Sequence, residues 1–264
     1  MCGIAGYSLA PSSSLERTLA AQALLAGIAE RGADAVGYAH RNPGESVVVH
    51  KQRSGASKLL EQVSVHSCAT EVLVHVRDYT KGHPTIAANN HPIRHEAVVG
   101  IHNGIIFNDD EVLAGLDCAR REPGMTVDSE AIFALAAHSG GDARALEALR
   151  GSMASAWIDE RRPHCLVVAR GVGRPLWVGG ADGASFFAST KSALEVVERS
   201  LGLKLKKREL AEGTVVELEG GDEIARNRFK PNRQFEEEPL PAVRAPKEAA
   251  FCLKRLSTIV AATA

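Results

Sequence analysis

Cys2-Gly3-Ile4-Ala5-Gly6-Tyr7, directly behind Met1, is the stretch on which the reading of this chain turns. Initiator methionine is ordinarily removed ahead of a small residue. Its removal would leave Cys2 with both a thiol and a free α-amine. A thiol is a good nucleophile only as thiolate, and an amine with a reference pKa of about 8 is a base already attached to it. Taken only as structure, the same residues are the small, apolar opening of a buried strand. Position alone leaves both readings open, and the residues downstream have to separate them.

The length of 264 residues suffices for one large domain or two small ones, and a 45% apolar content allows a sizeable core. A formal net charge of -1 gives no electrostatic case for nucleic acid or an anionic membrane as partner. Cys2, Cys68, Cys118, Cys165 and Cys252 are scattered and odd in number, which suggests neither a disulfide framework nor a zinc motif. A reducing compartment suits them. With no signal-peptide pattern and no apolar run long enough to span a bilayer, a cytoplasmic location is expected.

Strand-like runs dominate, at residues 2–9, 46–51, 72–77, 97–101, 153–159, 165–170, 185–188 and 214–218. Helical patterns fall at 14–30, where serines can cap the start, at 128–137 and 142–149, each opened by a capping aspartate, and at 191–198. Strands cluster and helices are few, so the pattern is α+β: two stacked, mostly antiparallel sheets with helices on the outer faces. After Lys230 the composition changes. Pro231, Pro239, Pro241 and Pro246 punctuate a stretch holding Glu236-Glu237-Glu238, which reads as linker. A helix over 247–260 follows, with Phe251, Leu253, Leu256, Ile259 and Val260 on one broad apolar side. The expected arrangement is a domain over 2–230 and a linker with an amphipathic helix over 231–264. That helix is expected to dock on its own domain; binding a partner is the alternative.

Polar clusters sit where strands end and turns begin: Glu30-Arg31-Gly32-Ala33-Asp34, His75-Val76-Arg77-Asp78-Tyr79-Thr80-Lys81-Gly82, Asn89-Asn90-His91-Pro92, His102-Asn103-Gly104-Ile105-Ile106 and Asp128-Ser129-Glu130. Each has an ordinary explanation by itself. Asn103-Gly104 is a hairpin-turn signal, Asp128 an N-cap, and Arg77 one half of a surface ion pair. Their order and spacing behind Cys2 are what set those explanations aside.

That ordered set resembles the class II glutamine amidotransferases, whose glutaminase domain uses an N-terminal nucleophile. The version most similar is that of glucosamine-phosphate synthase and amidophosphoribosyltransferase. Cys-Gly-Ile-Ala-Gly, Arg-Gly-x-Asp, His-x-Arg-x-x-Thr-x-Gly, His-Asn-Gly-Ile-Ile and Asp-Ser-Glu occur in family order, over roughly residues 2–230. The resemblance implies a four-layer αββα fold and hydrolysis of the glutamine side-chain amide to glutamate and ammonia through a Cys2 thioester. It implies Cys2 as nucleophile with its own α-amine as base, and Asn103 with the Gly104 backbone N–H as oxyanion hole. Arg77 would hold the substrate carboxylate, Asp128 the substrate ammonium, Thr80 would add a hydroxyl from the closing loop, and Arg31 would organise the site.

The chain departs from the family pattern at three places. Asp78 stands where relatives carry an aromatic residue that gates ammonia, Lys81 replaces a histidine, and Ala35 replaces a serine. No synthase domain is visible after residue 230, so a separate ammonia-accepting synthase subunit is the expected partner, with the helix at 247–260 as its grip under the partner-binding alternative. A stand-alone hydrolase of another γ-glutamyl amide, with Asp78 and Lys81 on a different leaving group, is one alternative; a non-catalytic binding protein that retains Met1 is another. No cofactor is expected. His91 and His95 have helical ligand spacing, but Pro92 opposes a helix through them, so no metal is expected either. Lys204-Leu205-Lys206-Lys207-Arg208 alternates and has acidic neighbours, which favours a solvated strand over a nucleic-acid patch.

Overall fold

The computed structural model describes residues 2–42, 44–238 and 241–263. The Met1–Cys2 bond, and Pro239 of the linker, lie outside the described residues. Two antiparallel sheets lie face to face. The first runs in the order β11 (Lys206–Glu209), β9 (Trp177–Ala181), β10 (Ala184–Ala188), β1 (Gly3–Leu9), β4 (Glu71–Arg77), β2 (Ala35–Arg41), β3 (Val48–Gln52). The second runs β13 (Asp222–Arg228), β12 (Thr214–Glu219), β8 (Cys165–Arg170), β7 (Gly151–Asp159), β6 (Val98–Ile106), β5 (Ile93–His95).

Side chains of alternate parity separate the layers. Ile4, Leu73, Ile101, Ala156, Val168 and Phe187 fill the space between the sheets. Tyr7, Val74 and Phe186 point the other way, against Leu24 and Leu25 of α1 (Arg17–Ile28) and Val197 of α5 (Lys191–Leu201). On the second sheet, Trp157, Val167 and Val215 pack against Ile132 and Phe133 of α4 (Glu130–His138) and Leu113 of α3 (Asp109–Gly115). The result is the expected α-β-β-α order. Central strands are covered on both faces, which is why β1, β4 and β7 are buried along their whole length and carry apolar runs instead of an apolar–polar alternation.

The C-terminal helix α6 (Pro246–Thr263) docks on the same body. Cys252 and Leu256 are buried in the cluster that α1 and α5 share. Burying a leucine is worth about 1.5–3 kcal/mol. The Arg255–Glu61 pair, open to solvent at 3.8 Å, belongs to a class worth about 0–1 kcal/mol, so apolar contact holds the helix. Glu248 adds a polar tie, accepting from the Ser57 N–H at 2.8 Å at the start of α2 (Ala56–Leu59).

Several local expectations change. The cap of α1 is Glu16, which accepts from the N–H groups of Thr18 and Leu19, rather than a serine. Asp142 does cap, but what it opens is a 3-10 segment, Ala143–Ala148. Asp128 is not an N-cap: its carboxylate accepts from the Ile106 N–H. Asn103-Gly104 makes no hairpin turn but lies inside β6, opposite Ala154 and Met153. The basic run lies on edge strand β11 and pairs with acids, Lys207 with Glu198 at 2.5 Å and Arg208 with Glu223. No helix among the described residues is long and apolar enough to cross a membrane.

Candidate active site

Cys2 immediately precedes β1, and β1 pairs with β4 so that Gly3 faces Val76. That register sets Arg77, the last residue of β4, beside the nucleophile candidate. The segment after α1 closes in from the other side. Arg31 is buried and donates from Nε to the Cys2 carbonyl at 2.8 Å. Gly32 then passes so near that a Cβ there would lie 2.4 Å from the Arg77 carbonyl oxygen. The Cys2 Sγ sits 3.5 Å from the Asp78 carbonyl oxygen. Burial pushes the thiol pKa up, while the Arg77 charge opposes that shift.

From the second sheet, β6 delivers His102-Asn103-Gly104. Gly104 has φ +150°, and a Cβ would fall 2.0 Å from the Ser152 carbonyl oxygen, so only glycine fits. Asn103 is fully buried, and neither its Oδ1 nor its Nδ2 has a hydrogen-bond partner among the described residues. Such an amide costs about 1–3 kcal/mol when left unpaired.

The Arg77 guanidinium is buried and held by three oxygens: Asn90 Oδ1 at 2.6 Å, the Lys81 carbonyl at 2.9 Å and the Gly82 carbonyl. The residue 78–82 loop is thereby folded around it. Lys81 also ties that loop to the buried Asp109 at 2.6 Å, and Asp109 takes Arg120 on its other oxygen. Asp128 Oδ2 accepts from the Ile106 N–H at 2.6 Å. Burial raises its pKa to about 6 despite that bond. Thr80 lies exposed on the rim.

One narrow cleft is lined by Cys2, Arg77, Thr80, Lys81, Gly104 and Asp128, with His102 at its wall. Asn103 and Arg31 do not line it; the one lies buried beside Gly104 in β6 and the other holds the Cys2 backbone.

Residues 70–196 match the family model described as glutamine amidotransferase domain. A glutamine–fructose-6-phosphate aminotransferase (isomerizing) of Escherichia coli O6:H1 is 30% identical over 259 aligned residues, covering 89% of this chain and 40% of the relative. Its counterpart from Salmonella typhi is 31% identical with the same coverage. Over residues 70–196 this chain carries a glutamine amidotransferase domain. Among solved structures, the glutamine phosphoribosylpyrophosphate amidotransferase of B. subtilis superimposes with a TM-score of 0.65 at 20% identity, over 86% of this chain and 49% of that one. A structure titled as the allosteric regulatory enzyme of purine biosynthesis gives 0.68 at 22% identity with the same coverage; both likenesses concern the fold. The chain spans 40% of the length of the curated relatives it matches.

In this amidotransferase domain the histidines near the cleft are neutral supports. Burial lowers the pKa of His75 and of His102 to about 3, and that of His91 well below its ordinary value. His75 stacks on His91 at 4.3 Å and donates from Nε2 to the His102 carbonyl at 3.2 Å. His102 donates from Nε2 to the Ser152 carbonyl at 3.3 Å, so its Nδ1 accepts from the Ser129 hydroxyl at 2.9 Å. Of these three, only His91 stood out in the sequence as a possible metal ligand, while His75 and His102 stood in the ordered motifs. His75 and His102 lie in the buried strands β4 and β6, and His91 lies just before β5.

Two departures from the family pattern have internal partners. The Asp78 carboxylate meets Arg244 Nε at 3.0 Å, and Lys81 is committed to Asp109. Lys81 still lines the cleft, whereas Asp78 does not. Arg174, which sequence reasoning missed, is buried near His102 and pairs with Glu237 of the tail.

Proposed function

We propose that the chain hydrolyses the side-chain amide of glutamine through a thioester on Cys2. With Met1 removed, the α-amine takes the thiol proton as Sγ attacks the amide carbon. The charge that forms on the amide oxygen is received by Asn103 Nδ2 and the Gly104 N–H. The ammonium formed at the α-amine then protonates the departing nitrogen, ammonia leaves, and water adds to the thioester to release glutamate and restore the thiol. Arg77 has five N–H donors and gives three to protein oxygens. Two remain, one on Nε and one on Nη1, and either can meet a substrate carboxylate. Asp128 faces the substrate ammonium, Thr80 adds a hydroxyl at the rim, and Arg31 holds the Cys2 backbone.

The observation that carries this reading is the Asn103 amide, fully buried and unpartnered beside Gly104, which lines the cleft together with Cys2. The ammonia passes to an acceptor site on a separate synthase subunit. Two features support this: the curated relatives are named as aminotransferases, and α6 leaves Phe251 and Leu253 exposed while its other side is docked. The test combines intact mass, covalent labelling by a glutamine-mimicking electrophile, and release of glutamate with ammonia. The reading predicts loss of Met1, one label on Cys2, and equal yields of both products. Labelled but product-free protein, or Met1 retained in material purified from its own cell, would overturn it.

A further inference from the structure

We propose that His95, Cys118 and His138 form a zinc-type metal site, separate from the cleft, with three protein ligands and a fourth position for water. None of the three lines the cleft. His95 ends β5, Cys118 follows α3, and His138 closes α4. One ligand atom from each lies within 4.8 Å of the others. His138 Nε2 and Cys118 Sγ are 3.6 Å apart. Bonds of about 2.0 and 2.3 Å to one tetrahedral zinc ion place nitrogen and sulfur about 3.6 Å apart.

Both imidazoles are already oriented for this task. His95 Nδ1 faces Glu130 Oε1 at 3.1 Å, and His138 Nδ1 donates to the Ala134 carbonyl at 2.9 Å. Metal-binding histidines carry such an acceptor on the other ring nitrogen, which fixes tautomer and direction. Glu130 is itself fixed, fully buried and accepting from the Arg121 N–H at 2.7 Å. His95 is 2% exposed and its Nε2 has no hydrogen-bond partner among the described residues. A buried, directed and unpartnered nitrogen is a ligand in waiting.

The sequence argument against a metal weighed His91 with His95, and the fold sends those two apart. His91 stacks on His75 beside the cleft, whereas His95 meets Glu130 of α4. The ion would clasp β5, the α3–α4 connection and the end of α4. That connection leads directly into Asp128. Binding exchanges the Cys118 thiol proton for the metal and releases it to solvent.

The test titrates the chelator-stripped full chain with Zn²⁺ and separately with Co²⁺. The expected result is one equivalent bound, a thiolate-to-cobalt charge-transfer band and a Tm that rises with zinc. Cys118→Ser and His138→Ala, at half-exposed and exposed positions, should lose the response, with zinc affinity down about 100-fold or more. Cys118→Ser should also lose the band. Cys68→Ser should keep both, although His66 Nδ1 approaches Cys68 Sγ at 2.9 Å, as should Cys2→Ser. No stoichiometric binding by the stripped chain, or a cobalt band that survives in Cys118→Ser, would overturn the proposal.

Discussion

The two ends of the cleft are built on opposite terms. At the Arg77 end, charge is held by the protein's own bonds: three oxygens grip the guanidinium, and the loop they belong to is pinned by Lys81 on Asp109. At the Cys2 end the polar side chain is left open, with Asn103 buried and unpaired at both amide atoms. A binding group gains from being fixed before the substrate arrives, because less ordering remains to be done on binding. A donor for an oxyanion gains from having no partner until charge develops, because its stabilisation then falls on the transition state alone. In the proposed reaction the first end should govern KM and the second kcat.

The sharpest way to break that division is at the nucleophile. Cys2→Ala should lower glutamine turnover by about 10³-fold or more, as removal of a nucleophile does elsewhere, while calorimetry still detects glutamine binding. Turnover surviving in this variant would place the nucleophile elsewhere. Next comes Asn103→Ala, expected to cost about 10²–10³ in kcat, the range for one oxyanion donor. Its KM should stay within a few-fold. A KM that rose as steeply as kcat fell would make Asn103 a binding residue and dissolve the contrast between the two ends.

The parts of this comparison that were legible in the sequence are those fixed by local chemistry. Cys2 at the chain start and the ordered motifs behind it mark Arg77, Gly104 and Asp128, each of which reads alone as ordinary structure. The αββα order followed from clustered strands with few helices. What was not legible depends on partners far along the chain. Asn103-Gly104 reads locally as a turn, but pairing with β7 draws it into a nine-residue strand. Asp128 reads as a cap, but the Ile106 N–H, 22 residues away, claims its carboxylate. β13, a charged edge strand, and β9, with two central glycines, lack the apolar signal because their pairing with β12 and β10 supplies what their side chains do not. The Asp78–Arg244 contact spans a linker whose composition says nothing about where it lies.

A smaller effect separates the two ends by pH. Burial raises the Asp128 carboxyl from 3.8 to about 6, so it is neutral below about pH 6 and charged above it. Pairing with a substrate ammonium requires the charged form. Glutamine affinity, measured on Cys2→Ala so that the α-amine and thiol chemistry play no part, should therefore be level above pH 6. Below it, affinity should fall by up to about tenfold per pH unit. Asp128→Asn should bind weakly at every pH with that slope gone. The sign for stability runs the same way: a carboxyl whose folded pKa is raised stabilises the fold least when ionised, so its contribution declines as pH climbs from about 4 to about 6. An affinity in the Cys2→Ala protein that is flat through pH 6 would remove Asp128 from the binding end.

The smallest effect is expected where the tail meets the cleft wall. Arg244 Nε approaches Asp78 Oδ2 at 3.0 Å, and the Asp78 carbonyl lies 3.5 Å from Cys2 Sγ. The contact thus stands one residue from the nucleophile candidate. Even so, the pair is partly exposed, a class worth about 0–1 kcal/mol. The tail has independent ties: the N–H groups of Arg244 and Ala245 both donate to the Glu30 carbonyl at 2.8 Å, and Glu237 holds Arg174. Arg244→Ala leaves all of these in place. Its Tm should drop by no more than about 2–4 °C, and kcat should stay within about twofold, since the Asp78 backbone is kept by β4 and the loop. A kcat loss approaching that of Asn103→Ala would mean that the aspartate at 78, in the place of an aromatic residue, works through the tail on the reaction itself. The open end of the cleft would then extend to the linker.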